Sequence, residues 1–98
     1  MIKKILLIAF IAFSSLAMVG QTTVTGTVKD AKTGETLPGA NIKISRKAVG
    51  TTTDFDGNFV LQVTDNPPFT IEISMLGFQM VEVEITKTKQ KVEVSLTE

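Results

Sequence analysis

The sequence predicts an all-β fold, a seven-stranded antiparallel sandwich in residues 21–98 that follows a signal peptide in residues 1–20. From Thr22 onward, apolar and polar residues alternate with a period of two, as in strands that bury one face. Gly, Pro, Asn and Asp separate these runs at short intervals. After residue 21 the apolar residues show no helical spacing. A small barrel is the alternative arrangement.

The first residues have the layout of a secretory signal peptide. Lys3 and Lys4 give a positive start, residues 5–13 are an unbroken apolar run, and Ser15-Leu16-Ala17 fits a small-x-small cleavage site. Cleavage before Gln21 is the other possibility. An uncleaved membrane anchor is the rival interpretation, but a spanning helix needs about 20 apolar residues and polar serines interrupt this run early. We therefore expect an exported chain, with no membrane span after cleavage.

Composition limits the chemistry of the exported part. The chain has no Cys and no His, which removes disulfides, Cys nucleophiles, His-based triads and zinc sites built from Cys or His. A domain of about 80 residues must then draw its stability from a packed apolar interior. Without Lys3 and Lys4, eight basic residues face ten acidic ones. Nucleic acid, which favours a basic face, is not an expected partner.

The strands follow in order from the alternation. They are predicted at residues 22–29, 41–45, 51–53, 58–63, 69–75, 81–85 and 92–97. The breaks between them are turn-rich or polar: 30–34, the bend at 37–39, the exposed loop 46–48, the turn 54–57, 64–68, a bulge or bend at Gly77, and the Lys-containing turn 86–91. The predicted inward set is Val24, Val28, Ile42, Ile44, Phe59, Leu61, Ile71, Ile73, Val83, Ile85, Val92 and Val94.

The turn Asp54-Phe55-Asp56-Gly57 has two interpretations, a calcium loop or a hairpin between two short strands. With Gly57 at position 6 of an EF-hand, Thr52 falls at position 1 and Val63 at position 12, so both ends of the ligand pattern fail. We therefore predict a hairpin in which Asp54 and Asp56 bond the turn's own N–H groups and Gly57 has positive φ.

No other motif supplies catalytic, cofactor-binding or metal-binding residues, and none is predicted. The glycines have no phosphate-loop spacing. Glu72, Glu82, Glu84 and Glu93 fall on outward strand faces, where solvation is the expected role. Phe55 and Phe78 are the aromatic residues that the core pattern explains least. They are interpreted either as covers over the end of the sandwich or as a small sugar- or protein-binding surface.

Several motifs together resemble the carboxypeptidase-regulatory-like domain. This resemblance implies an immunoglobulin-like, transthyretin-like sandwich of seven strands without catalytic activity of its own. Met75 stands where the family often has an aromatic residue. The motifs are Val24-Thr25-Gly26-Thr27-Val28-Lys29-Asp30, Thr33-Gly34-Glu35, Leu37-Pro38-Gly39-Ala40-Asn41-Ile42, Gly50-Thr51, Thr53-Asp54-Phe55-Asp56-Gly57-Asn58-Phe59 and Leu76-Gly77-Phe78.

The motifs of this sequence most resemble those of the domain at the N-terminus of SusC/RagA-type TonB-dependent outer-membrane receptors of Bacteroidetes. The resemblance implies a periplasmic or outer-membrane-associated accessory module of nutrient uptake, with envelope transporter components as partners. The chain is then a stand-alone copy or the N-terminal part of such a receptor. A sheet edge is the expected contact surface. The alternative function is a weak carbohydrate-binding module that uses Phe55 or Phe78.

Overall fold

A computed structural model of the chain describes residues 21–98, and the predicted signal peptide lies outside them. Seven strands and no helix occur in this part of the chain, which confirms the predicted all-β class and strand number. The strands are β1 (Thr22–Asp30), β2 (Asn41–Ile44), β3 (Gly50–Thr52), β4 (Asn58–Val63), β5 (Phe69–Ser74), β6 (Val81–Ile85) and β7 (Lys89–Leu96).

The strands form two separate sheets, so the fold is a sandwich rather than the alternative barrel. One sheet has the order β4-β1-β7 and the other the order β3-β2-β5-β6. Each neighbouring pair is antiparallel except β1 and β7, which run parallel from Thr23 opposite Lys89 to Asp30 opposite Leu96. Short turns constrain only strands that are consecutive in the chain. They therefore do not fix the direction of the first strand relative to the last.

The core lies between the sheets and consists of the inward residues of both. Eleven of the twelve predicted inward residues are buried. The exception is Val83, which is half-buried because β6 is the edge strand of its sheet and has a neighbour on one side only. Burying each large apolar side chain contributes roughly 1.5–3 kcal/mol, most of which chain entropy offsets. The complete apolar set is Val24, Val28, Ala40, Ile42, Ile44, Phe59, Leu61, Val63, Ile71, Ile73, Ile85, Val92, Val94 and Leu96.

The turn before β7 is shorter than predicted, since the strand begins at Lys89 rather than at Val92. Gln90 organises this turn although it belongs to the strand. Its Oε1 accepts the N–H groups of Thr86 at 2.9 Å and Lys87 at 3.3 Å, and its Nε2 donates to the Glu84 carbonyl at 3.2 Å. Because residues 89–91 are all polar, the alternation that marks a strand becomes visible only at Val92.

Candidate functional site: the Thr53–Asn58 corner

The turn after β3 is built on one carboxylate. Asp54 Oδ1 accepts the backbone N–H groups of Asp56 and Asn58, both at 2.9 Å. The backbone closes the same turn, because the N–H of Gly57 donates to the Asp54 carbonyl at 3.0 Å and the N–H of Asp54 donates to the Asn58 carbonyl at 2.8 Å. Gly57 has φ of 78°. The predicted roles of Asp54 and Gly57 are confirmed, whereas the contacts of the turn assign no such role to the exposed carboxylate of Asp56.

The turn does not join a hairpin, so that prediction was wrong. β3 pairs with β2, and β4 pairs with β1 in the opposite sheet. The chain therefore crosses from one sheet to the other through residues 53–57. The reason is the burial pattern: Phe59, Leu61 and Val63 need a partner across the core, and pairing with the three-residue β3 would leave most of β4 without a neighbour.

Thr53 ties this crossing to the segment that precedes β2. It is 5% exposed, its hydroxyl donates to the Leu37 carbonyl at 2.6 Å, and the same hydroxyl accepts the Ala40 N–H at 2.9 Å. The Thr53 N–H donates to the Ala40 carbonyl at 2.9 Å, and the Gly39 N–H donates to the Thr53 carbonyl at 3.1 Å. The buried side chain of Thr53 therefore bonds backbone groups on both sides of the bend at Pro38, while the Thr53 backbone extends the β2–β3 pairing.

Gly57 closes the same corner from the other side. The N–H of Val28 donates to the Gly57 carbonyl and the N–H of Leu37 donates to the Val28 carbonyl, both at 2.9 Å. A Cβ at Gly57 would lie 2.8 Å from Thr36 Cβ and 3.0 Å from the Val28 carbonyl oxygen. The motifs around Pro38 and around Gly57 thus hold each other in place. The buried hydroxyl of Thr53 and the positive φ of Gly57 are thus both explained by the fold.

The corner offers little to a metal ion. One oxygen of Asp54 already accepts two hydrogen bonds within the turn. Within residues 21–98, no group of three Asp or Glu side chains lies close enough together to hold a cation. The exposed tip of the corner is therefore the candidate contact surface.

The tip carries an apolar side chain that the fold does not use. Phe55 is 89% exposed, and Leu76 in the neighbouring 75–80 loop is 99% exposed. Met80 at the end of that loop is 53% exposed. Phe78, by contrast, is half-buried and packs against the core. It therefore covers the end of the sandwich, which is the first of its two predicted roles. Sequence reasoning identified Phe55 and missed Leu76, which it used only as part of the Leu76-Gly77-Phe78 motif.

Apart from Val60, which is 58% exposed, the outward sheet faces are mostly polar. Glu82, Glu84 and Glu93 are exposed as predicted. Glu72 is half-buried, accepts a hydrogen bond from Ser45 Oγ at 3.2 Å, and pairs with Lys43 at 3.6 Å. A shallow depression of about 470 Å³ crosses the β3, β2 and β5 face, where Gly50 has no side chain. A second one of about 400 Å³ lies at the opposite end of the sandwich from Phe55 and includes Val49 and Val63.

These features define a class of protein: a small β-sandwich module with an interlocked corner and an exposed apolar tip. In the described part of the chain, no helix is long and apolar enough to cross a membrane. The chain belongs to the CarboxypepD_reg-like domain family, whose sequence model matches residues 24–98.

Two curated relatives are TonB-dependent receptors. The chain is 42% identical over 81 residues to the TonB-dependent receptor SusC of Bacteroides thetaiotaomicron, which covers 83% of the chain and 8% of the receptor. It is 32% identical over 84 residues to the TonB-dependent receptor P3 of Formosa agariphila, which covers 86% of the chain and 8% of the receptor. The chain therefore spans less than a tenth of each relative and matches one β-sandwich module of such receptors.

Solved structures of low sequence identity share the fold. A type II cohesin–X-dockerin complex from Acetivibrio cellulolyticus aligns with a TM-score of 0.63 at 17% identity, over 74% of this chain and 52% of that one. A 5-hydroxyisourate hydrolase from Klebsiella pneumoniae aligns with a TM-score of 0.53 at 13% identity, over 78% and 90%. Such sandwiches therefore occur in binding assemblies and in an enzyme, so function has to be argued from the residues.

Proposed function

We propose that the chain is a non-catalytic accessory module of TonB-dependent nutrient uptake, acting on the periplasmic side of the outer membrane with transporter components as partners. The observation that carries this proposal is the 42% identity to the SusC receptor over 81 residues, a span that contains most of the sandwich. Glycans are the nutrient class that we infer. The predicted signal peptide supports this proposal, because it would export the module to the required compartment.

A non-catalytic role is supported by the chemistry that the residues offer. The chain contains no His or Cys, and Glu82, Glu84 and Glu93 are exposed on strands. The corner uses its polar groups to satisfy backbone atoms. A module of this kind contributes position and contact surface to a larger assembly.

The test is an in-frame deletion of codons 22–98 in the native host, with the predicted signal peptide retained. We expect lower uptake of labelled oligosaccharides at limiting concentration, with a normal amount of transporter in the outer membrane. The matched control is Phe59→Ala, which damages the same module without shortening the chain. Unchanged uptake across an oligosaccharide panel at limiting concentration would contradict the proposal.

A weak carbohydrate-binding module is the second candidate, and the exposure of Phe55 is the observation that favours it. Phe78 drops out of this candidate because its ring packs against the core. Glycan-array binding by the exported protein that is lost in Phe55→Ala would support sugar binding. An empty array with both proteins would remove it.

A further inference from the structure

The two ends of the sandwich differ in charge. We define the acidic end as residues 30–40, 53–57, 75–80 and 97–98, which the strand registers bring together: Asp30 lies opposite Leu96, and Asn41 lies opposite both Thr52 and Ser74. This end carries five carboxylates, and the nearby cations are Lys29 and Lys32. The carboxylates belong to Asp30, Glu35, Asp54, Asp56 and Glu98.

The opposite end is basic. We define it as residues 45–49, 64–68 and 86–89, where β2, β4 and β6 end and the following strands begin. Four cations, Arg46, Lys47, Lys87 and Lys89, lie there with one carboxylate, Asp65. Lys47 pairs with Asp65. The ion pairs within residues 21–98 leave Arg46, Lys87 and Lys89 without a carboxylate partner.

The two ends also differ in the shape of their apolar surface. The acidic end presents a knob, the side chain of Phe55, between Asp54 and Asp56. The basic end contains a socket, the depression of about 400 Å³ lined by Gln21, Val49, Gln62, Val63, Thr64 and Asp65. Val49 is 42% exposed and lies two residues after Lys47. Among the residues that line the socket only Asp65 is charged, and it is paired with Lys47. The charge complementarity therefore lies between the two ends as a whole, with five carboxylates at the acidic end and four cations at the basic end.

The positions of knob and socket on the strands fix how they can meet. The knob lies between the end of β3 and the start of β4, and the socket lies between the start of β3 and the end of β4. Both therefore belong to the same side of the sandwich, separated along the strand direction. A second copy displaced along the strands brings its knob to the first copy's socket without any change of orientation.

We propose that copies of this domain associate head to tail, with Phe55 of one copy in the Val49–Val63 socket of the next and the acidic end against the basic end. Such a contact is heterologous and does not close on itself, so the association is open-ended. It is independent of the proposed role in uptake. An end-on contact buries less surface than about 1,200 Å², so we expect weak association with a Kd of about 0.1–1 mM.

The experiment uses the protein purified from the periplasmic fraction after expression with its own leader. In sedimentation velocity at low salt, the weight-average mass should rise with protein concentration and pass the mass of a dimer. The rise should shrink as salt is raised, since exposed charges are screened beyond about 10 Å at 0.1 M salt. A protein that remains monomeric to about 1 mM would overturn the proposal.

Two variants separate knob from socket. Phe55→Ser removes the knob, and Val49→Arg blocks the socket with a charged side chain. Each variant alone should be monomeric, whereas an equimolar mixture should form heterodimers and stop there, because one intact knob and one intact socket remain. The control is Val60→Ser, which removes a 58% exposed apolar side chain from an outer sheet face and should associate like the original protein. Association of Phe55→Ser alone, or no association in the mixture, would refute the head-to-tail contact.

Discussion

Two neighbouring parts of one segment behave in opposite ways. The corner residues Thr53, Gly57 and Phe59 are fixed by buried contacts, whereas Phe55, which lies between them, is 89% exposed. All four belong to the same family motif. A recognisable motif can therefore combine residues that build the fold with a residue left for contact. Mutations should therefore separate stability from association within seven positions.

The largest effect is expected in the core. Phe59 is 3% exposed, and its ring packs over Gly26, where an added Cβ would lie 2.6 Å from Phe59 Cε1. Phe59→Ala should lower the free energy of unfolding by about 3–5 kcal/mol, measured by urea denaturation of the exported protein. Val60→Ala, at the next position and 58% exposed, is the control and should change little. Equal midpoints for the two variants would show that the Phe59 ring is not part of the packed core.

A smaller effect is expected at Gly57, where backbone and space act together. Gly57→Ala combines a left-handed φ with a Cβ 2.8 Å from Thr36 Cβ, so we expect a loss of about 2–3 kcal/mol. Gly34→Ala is the matched control, since Gly34 has φ of 76° but no atom within 4 Å of the added Cβ. Its cost should be about 1 kcal/mol. If both substitutions cost the same, the contact with Thr36 contributes nothing and the corner is less tightly interlocked than described.

The next effect isolates the hydroxyl of Thr53. Thr53→Val keeps the shape but leaves the Leu37 carbonyl and the Ala40 N–H without the partner that they have now, which should cost about 2 kcal/mol. Thr52→Val changes an exposed hydroxyl one residue earlier and serves as the reference. Hydrogen exchange at the Ala40 amide should also accelerate in Thr53→Val. An amide that stays equally protected would show that the hydroxyl is not its partner in solution.

The carboxylate of the turn should matter less, because it is solvent-exposed. Asp54→Ala removes the acceptor of the Asp56 and Asn58 N–H groups, and we expect a loss of about 1 kcal/mol in unfolding free energy. Asp56→Ala is the control, since the recorded hydrogen bonds of the turn do not use its carboxylate. Equal losses for the two aspartates would mean that charge, rather than the turn geometry, sets the effect.

The sequence predicts the residues that face inward better than it predicts the pairing of strands. Alternation determines which side of a strand is apolar, so eleven of the twelve inward residues are correct. It carries no information on which sheet a strand joins. The Asp54–Gly57 turn would look the same in a hairpin as in this crossing between sheets, and the parallel β1–β7 pair joins strands that no short turn connects.

In the candidate site, too, some roles follow from the local sequence and others depend on residues far away in the chain. Local chemistry predicts that Asp54 accepts N–H groups within its own turn, because donors and acceptor lie within four residues. The buried role of Thr53 depends on Leu37, which is 16 residues away, and no local pattern reveals such a partner. The exposure of Leu76 was missed because the sequence analysis used this residue only as part of the Leu76-Gly77-Phe78 motif. The alternation ends at Met75, and the chain turns there, since the N–H of Phe78 donates to the Met75 carbonyl at 3.0 Å.

The smallest effect on stability and the clearest effect on association are expected at Phe55. Phe55→Ala removes a ring that is 89% exposed, so the free energy of unfolding should stay within about 0.5 kcal/mol of the original value. The same variant should no longer associate in sedimentation velocity, because the socket of the next copy loses its apolar ligand. A destabilisation of more than about 1 kcal/mol would place the ring among the packed residues of the corner and remove the distinction between the two parts of the segment. Unchanged stability together with lost association would establish that this distinction is functional, since no folding defect could then account for the loss.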